Sequence, residues 1–384
     1  MARNPLHDVC IAGVYNTQQA RVLEGVNEVE LLVDAMRGTL ADAGVAPHEV
    51  DGVNVRSAVW RINAREVSHW LGCSPKWNGG EFGIAGVLEA AGAIATSQAS
   101  VVLMADAQCG QYTERALTAP WTRPTNEFVE CWGLYTAAEF ALIAQRHMAV
   151  YGTRPEALAE VSAAIRSNGA INPDAVYYGR PCTPEDVLAS RMVADPFHLL
   201  DCCMTSEGGA GLLLTTVERA LDLDCEPIYI LGGGLDRFGM SYVMAPVYDK
   251  YGLAGRRAAQ DAFEQGGIGP QDVDVCEFYD PFSFELIRQF EAFGFCDEGE
   301  GGDFVMDGRV RIDGDFPLCT NGGLMAYSHA GTAQLLQKTI SAVLQLRGKY
   351  IPELTVPNAK IAMATNGGAG ALFTDLMIVG KEQP

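Results

Sequence analysis

Apolar positions along the chain gather in short continuous runs that alternate with longer stretches of helical periodicity, the pattern expected of strands and helices packed in layers. The opening run HDVCIAGVYN over 7–16 predicts a strand. A helix-like stretch from Glu28 to Gly44 follows, and Val53–Val55 reads as the next strand. EFGIAGVLEAAGAIATSQ over 81–98 predicts a helix that leads into the strand VVLM at 101–104. Far downstream, TAQLLQKTISAVLQLRG over 332–348 leads in the same way into KIAMA at 360–364.

That recurrence is numerical as well as qualitative. Gly267 follows Gly44, Pro270 follows Pro47 and Asp274 follows Asp51, each by 223 residues. A helix, a glycine cap, a proline and a strand therefore occur twice. Asn78-Gly79-Gly80 and Asn321-Gly322-Gly323 each precede one of the paired helices. The chain is accordingly expected to divide into two βαβ-rich halves, 1–225 and 226–384. Between the repeats, residues from about 111 to 200 carry Trp, Tyr, Arg and Pro in irregular order, which predicts an inserted loop region shaping a site.

Composition narrows the function. The 384 residues carry 27 basic and 48 acidic side chains, a net charge of −21 that repels nucleic-acid phosphates and anionic lipid heads. No apolar run is long enough to span a bilayer and the first residues lack the apolar core of a signal peptide, so a soluble, cytoplasmic protein is expected. Eleven cysteines in that compartment are expected as free thiols, and neither they nor the six histidines show metal-ligand spacing. No metal and no separate cofactor are expected.

A glycine-rich turn feeding a buried helix converges backbone N–H groups and the positive helix end on one point, where a thiolate or enolate is stabilised. Two such turns occur, Trp77–Gly83 and Asn321–Gly331, the second carrying His329. Taken singly, each is explained as well by close helix packing. Their duplication and the histidine favour chemistry.

From these residues outward, the chain resembles the thiolase superfamily over nearly its whole length, in the branch of sterol-carrier-type thiolases and so-called lipid-transfer proteins. Asn321-Gly322-Gly323 through His329 is similar to that family's NGG…GHP loop, without a gap to Gln345-Leu346-Arg347-Gly348. Ser190–Pro196, Asp201–Gly209 and Ile94–Ser100 match further stretches. The resemblance implies a five-layer α-β-α-β-α thiolase fold of the α/β class and a tight homodimer.

Three departures matter more. Gly80 stands where the family places its acyl-accepting cysteine, Tyr279-Asp280-Pro281-Phe282 stands in the place of its HDCF or NEAF loop, and Thr365-Asn366-Gly367-Gly368 carries no cysteine. Without the thiolate no acyl-enzyme forms, but a site that stabilises a thioester enolate still favours C–C cleavage beside the carbonyl. The cysteine-less thiolase-like aldolases of steroid side-chain degradation carry the same tyrosine, though with a second tyrosine where this chain has His329. The resemblance thus implies retro-aldol cleavage of a bulky β-hydroxyacyl-CoA, CoA being part of the substrate.

Tyr279 is the candidate acceptor of the hydroxyl proton, and His329 the candidate to bind the thioester oxygen or protonate the enolate. Gly80, Asp280, Asn321, Gly322, Gly323, Tyr327 and Gly368 are the candidate substrate-binding positions, with Tyr327 also explained as loop packing. Cys276 and Cys319 flank the chemical loops and keep open a thiolase or acyltransferase with a displaced nucleophile; a non-catalytic scaffold or lipid-binding subunit is the other alternative. Cys202-Cys203 reads as core packing. A small zinc-ribbon/OB-fold protein is the partner that the aldolase resemblance implies.

Overall fold

A glycine-capped helix, a 3-10 turn that starts on proline and a strand follow one another twice among the described residues. A computed structural model describes residues 4–57, 62–110, 136–238, 253–368 and 373–384. Strands β1 (Val9–Asn16), β2 (Gly52–Ser57), β3 (Trp77–Asn78), β4 (Val101–Gln108), β7 (Gly208–Thr216), β8 (Ile228–Arg237), β9 (Val275–Glu277), β10 (Ile361–Gly368) and β11 (Phe373–Gly380) form a nine-stranded sheet. β5 (Met192–Ala194) and β6 (Phe197–His198) make a separate hairpin.

The sheet order is β3-β2-β4-β7-β1-β8-β11-β10-β9. Within it, β2-β4-β7-β1 and β9-β10-β11-β8 repeat one topology: a parallel pair followed by two antiparallel pairings. The repeats meet at β1 and β8, whose pairing comprises Cys10 with Tyr229 and Ile11 with Ile228.

The helices are α1 (Glu28–Ala43), α2 (Ala64–Leu71), α3 (Gly83–Ala95), α4 (Thr136–Tyr151), α5 (Pro155–Ile171), α6 (Pro184–Ala189), α7 (Val217–Ala220), α8 (Arg256–Gly266), α9 (Ser283–Ala292), α10 (Gly301–Phe304) and α11 (Ala333–Leu346). α1 and α8 both stop at a left-handed glycine, Gly44 at φ 67° and Gly267 at φ 64°. A short 3-10 turn begins at Pro47 in one copy and Pro270 in the other, where the fixed proline φ suits the first helical position.

Burial defines the layers. Ile84, Val87 and Ile94 of α3 and Leu336, Ile340 and Val343 of α11 share a core with Val102, Leu212, Ala362 and Met377, so these two helices lie between the repeats. Leu32, Met36 and Leu40 of α1 cover the outer face of the first repeat, against Val53, Leu103 and Leu213. Ala258, Ala262 and Phe263 of α8 cover the second, against Leu231, Leu376 and Ile378. This is the α-β-α-β-α stack of the thiolase fold.

The stretch expected to be loop is largely helical where it is described. α4 and α5 are rich in alanine, α5 starts on Pro155 at its first position, and α6 has Thr183 and Asp186 in a capping box. The two tryptophans of that stretch, Trp121 and Trp132, lie outside the described residues, whereas five of its seven arginines lie in the described part.

Candidate active site

α3 begins where the family's nucleophile would stand, and Gly80 offers no side chain there. Its N–H donates to both carboxylate oxygens of Glu89, at 3.1 and 2.9 Å, and the Glu81 N–H donates to the same group at 2.9 Å. The Gly80 N–H is thus engaged by a carboxylate of its own helix. Further inward, the N–H of Ile84 donates to Asn366 Oδ1 at 2.7 Å, so β10 of the second repeat caps the helix of the first. Gly83 permits this contact: at φ +55° it holds a position where a Cβ would sit 2.2 Å from that oxygen.

Tyr279 leaves β9 two residues past its end and is buried. Its N–H donates to Thr365 Oγ1 (2.8 Å), its carbonyl accepts from Gln289 Nε2 (2.7 Å), and Thr365 closes the ring by donating to Gln289 Oε1 (2.5 Å). The phenol ring packs with Leu324, Leu335, Phe82 and Cys203. It also lies against β10 at Gly367, where a Cβ would come within 3.0 Å of the ring. Gly368, expected from sequence as a substrate-binding position, lies against the Phe373 ring.

The Asn321 loop is built around a buried carboxylate. Asp280 accepts from the N–H groups of Leu324 (3.0 Å) and Met325 (3.2 Å) and pairs with the Lys338 ammonium. These N–H groups open a single π-helical turn, Gly323–Tyr327, a rare form that concentrates at functional sites. Gly323, at φ +53°, is required there because a Cβ would meet Asp280 Oδ2 at 2.2 Å.

Several expected substrate contacts therefore turn inward. Asp280 is fully buried and occupied by the loop and Lys338. Asn321 Oδ1 accepts from the Gly323 N–H at 2.8 Å, and Gly322 allows α5 to approach at Gly169. Tyr327 is buried beside Gly322, its carbonyl accepting from Val176 N–H, and burial pushes its phenol above the usual range. Asn321, Gly323, Tyr327, Gln334, Gln337 and Lys338 line a small internal cavity.

His329 follows the π turn. Its Nδ1 lies 2.7 Å from the Met204 carbonyl, and its backbone N–H donates to Ser206 Oγ at 2.7 Å. Burial, together with the Lys338 charge, lowers the imidazole from 6.5 to about 4 against the opposing Met204 hydrogen bond. The ring is consequently neutral near pH 7. A carbonyl can only accept, so the proton sits on Nδ1 and Nε2 presents a lone pair.

The segment 202–206 joins the two chemical loops. Cys202 bridges to Phe282, the Cys203 N–H donates to the Pro281 carbonyl, the Met204 N–H donates to the Leu324 carbonyl, and Met204 and Ser206 hold His329. The Cys202-Cys203 pair is thus part of the frame. Cys276 and Cys319 are completely buried, and burial pushes both thiols well up from the ordinary cysteine range, the opposite of what a nucleophile needs.

Sequence reasoning missed Lys338, which had a signal: it is the single charged residue in the fourteen of α11. Its ammonium is buried with Asp280 and with Cys319 Sγ at 3.2 Å. Burial alone would lower it, but Asp280, Cys319 and Glu277 together hold it above the usual lysine range. Met204, Ser206 and Gln289 were also missed, since their roles depend on contacts distant in sequence.

A thiolase C-terminal domain-like family matches residues 244–381. The 17-hydroxy-3-oxo-4-pregnene-20-carboxyl-CoA lyase of Mycobacterium tuberculosis is 35% identical over 85% of this chain and 88% of its own length. The chain belongs to the thiolase superfamily. A steroid side-chain-cleaving aldolase of Thermomonospora curvata is 33% identical to this thiolase-superfamily protein, over 83% of the chain and 86% of that enzyme. Among solved structures, an Ltp2-ChsH2(DUF35) aldolase superposes with a TM-score of 0.85 at 29% identity, covering 98% of this chain and 99% of that one. Human mitochondrial 3-ketoacyl-CoA thiolase shares the fold with a TM-score of 0.68 at 15% identity.

Proposed function

We propose that the protein is a carbon–carbon lyase that cleaves a bulky, steroid side-chain-like β-hydroxyacyl-CoA by a retro-aldol reaction. The observation that carries this reading is the α3 start without a nucleophile, set in a frame that still presents His329 and Tyr279. Its similarity to the two named steroid-cleaving enzymes supports the same chemistry.

The His329 tautomer supports a division of labour opposite to that expected from sequence. Nε2 accepts the β-hydroxyl proton; the Cα–Cβ bond breaks as the hydroxyl carbon becomes a ketone or aldehyde, and the bond electrons pass into the thioester enolate. The proton, returned to Cα, leaves a shorter acyl-CoA, so that atoms and charge balance without free CoA or a redox partner. Tyr279 donates a hydrogen bond to the thioester oxygen as negative charge develops there, the role of an oxyanion-hole phenol.

The Ltp2-ChsH2(DUF35) aldolase supports a second protein as partner for this chain, the zinc-ribbon/OB-fold type being what the sequence resemblance implies, and the superfamily resemblance supports a homodimer. Among the described residues no helix is long and apolar enough to cross a membrane, which fits a substrate met in solution. The deciding experiment incubates purified protein, with and without such a partner, with β-hydroxyacyl-CoA and β-ketoacyl-CoA panels and follows products by mass. Ketone or aldehyde plus a shorter acyl-CoA, formed without free CoA, is expected. CoA-dependent cleavage of the β-keto substrates through a cysteine-linked intermediate would overturn the reading, and turnover of neither panel would leave a scaffold.

A further inference from the structure

Lys338 lies at the point where the two chemical loops are fastened together. One Asp280 oxygen receives its ammonium and the Leu324 N–H, while the other receives the Met325 N–H. Asp280 is the neighbour of Tyr279, and Leu324 and Met325 lie in the turn that delivers His329. An unpaired carboxylate so deeply buried would be strongly destabilising or would take up a proton, and a neutral acid accepts N–H bonds more weakly. Burial pushes the Asp280 carboxyl above its ordinary range, and the Lys338 charge is the largest influence opposing that rise.

Resting on the retro-aldol reading, we infer that Lys338 is a positioning residue for that reaction: through Asp280 it locks the Tyr279 loop to the π turn that carries His329. The Lys338 Nζ is buried with Asp280 and Cys319, and its charge is felt by Glu277 from β9. Such a clamp matters because an error of about 1 Å in the placement of reacting groups costs about 10²-fold in rate.

The same ammonium acts on His329. It is the one charged group that acts on the imidazole from α11, and it disfavours the imidazolium. From 202–206 the ring meets the Met204 carbonyl, which favours the proton, and that segment also brings the Cys203 thiol, which burial keeps protonated. The 279–282 loop contributes Tyr279 and the carboxylate of Asp280, whose charge is offset by Lys338. Removing the lysine charge therefore moves His329 toward protonation.

The test uses the full-length protein with two variants, Lys338→Met and the double change Lys338→Met with Asp280→Asn. Folding is checked by circular dichroism and thermal melting, His329 is titrated by NMR of the labelled imidazole, and kcat and KM are measured on whichever β-hydroxyacyl-CoA is cleaved. Lys338→Met is expected to melt lower, to lose about 10²-fold in kcat with little change in KM, and to titrate His329 at higher pH. The double variant removes the uncompensated carboxylate and should regain stability while its kcat stays low, since an amide cannot accept both N–H groups at its two ends.

A double variant that recovers both stability and rate overturns the inference, as does a His329 titration unmoved in Lys338→Met. The two readings fail separately. If the wild type cleaves no β-hydroxyacyl-CoA, the proposed function falls, yet the imidazole titration still decides whether Lys338 governs the state of His329.

Discussion

The Nδ1 atom of His329 lies 2.7 Å from the Met204 carbonyl oxygen, and this contact leaves Nε2 as the ring atom available to a substrate. Nε2 is then an acceptor throughout the neutral range.

His329→Gln is expected to lower kcat by roughly 10²–10⁴-fold, the usual contribution of a positioned acid–base group. For the wild type, kcat/KM should stay level through neutral pH and decline only as pH falls toward about 4, where the imidazole takes up a proton. Steady-state kinetics from pH 4.5 to 8 check this. A descending limb centred near pH 6.5 would mean that burial does not depress His329.

The same shift bears on stability. The folded value lies below the unfolded value of 6.5, so the contribution is complete above pH 6.5 and is lost as pH falls from there through about 4. Denaturant unfolding of wild type and His329→Gln at pH 7, 5.5 and 4.5 should show the variant losing less stability across that window.

Tyr279→Phe keeps the ring against Gly367 and removes only the phenol oxygen. Its fold and melting temperature should be nearly unchanged, while kcat falls by about 10²–10³-fold, as for the loss of one oxyanion donor. Parallel melting and turnover measurements separate the two effects, and full activity in the variant would remove Tyr279 from the chemistry.

Asp106 titrates in the opposite sense. It is buried toward the end of β4, and burial pushes its carboxyl up to about 7 against the Arg56 charge. A raised folded value gives stability that is present at low pH and is lost as pH rises through about 7. Asp106→Asn should therefore melt higher than wild type at pH 8 and gain little at pH 5.

Gly83→Ala should destabilise the protein by about 1–3 kcal/mol, because it adds both a positive-φ strain and a collision with Asn366. Chemical denaturation measures the cost. An alanine tolerated without loss would show that the α3 start can relax away from β10.

Much of the fold was legible because its signals are local. Gly44 and Gly267 mark helix ends through their own backbone needs, and the spacing between them survives in the strands that follow. α4 and α5 were harder, since aromatic and charged residues around them masked ordinary helix signals. In the site, His329 could be singled out from its glycine-rich turn, whereas Gly80 and Tyr279 were named only through the family resemblance. The inward turn of Asp280 could not, because its partners Leu324, Met325 and Lys338 lie 44, 45 and 58 residues away. Strand register, too, sets Gly367 against Tyr279 and Gly368 against Phe373, which residue type alone does not reveal.

The cap that Asn366 places on Ile84 spans 282 residues of chain. During synthesis the first repeat emerges with the start of α3 unsatisfied, and it must wait for nearly the whole remaining polypeptide before that N–H finds its acceptor. The part of the molecule where a nucleophile would stand is therefore among the last to be completed. A chain cut short before β10 would carry the glycine turn but not the group that seats it, so nascent fragments have no finished site with which to engage a thioester.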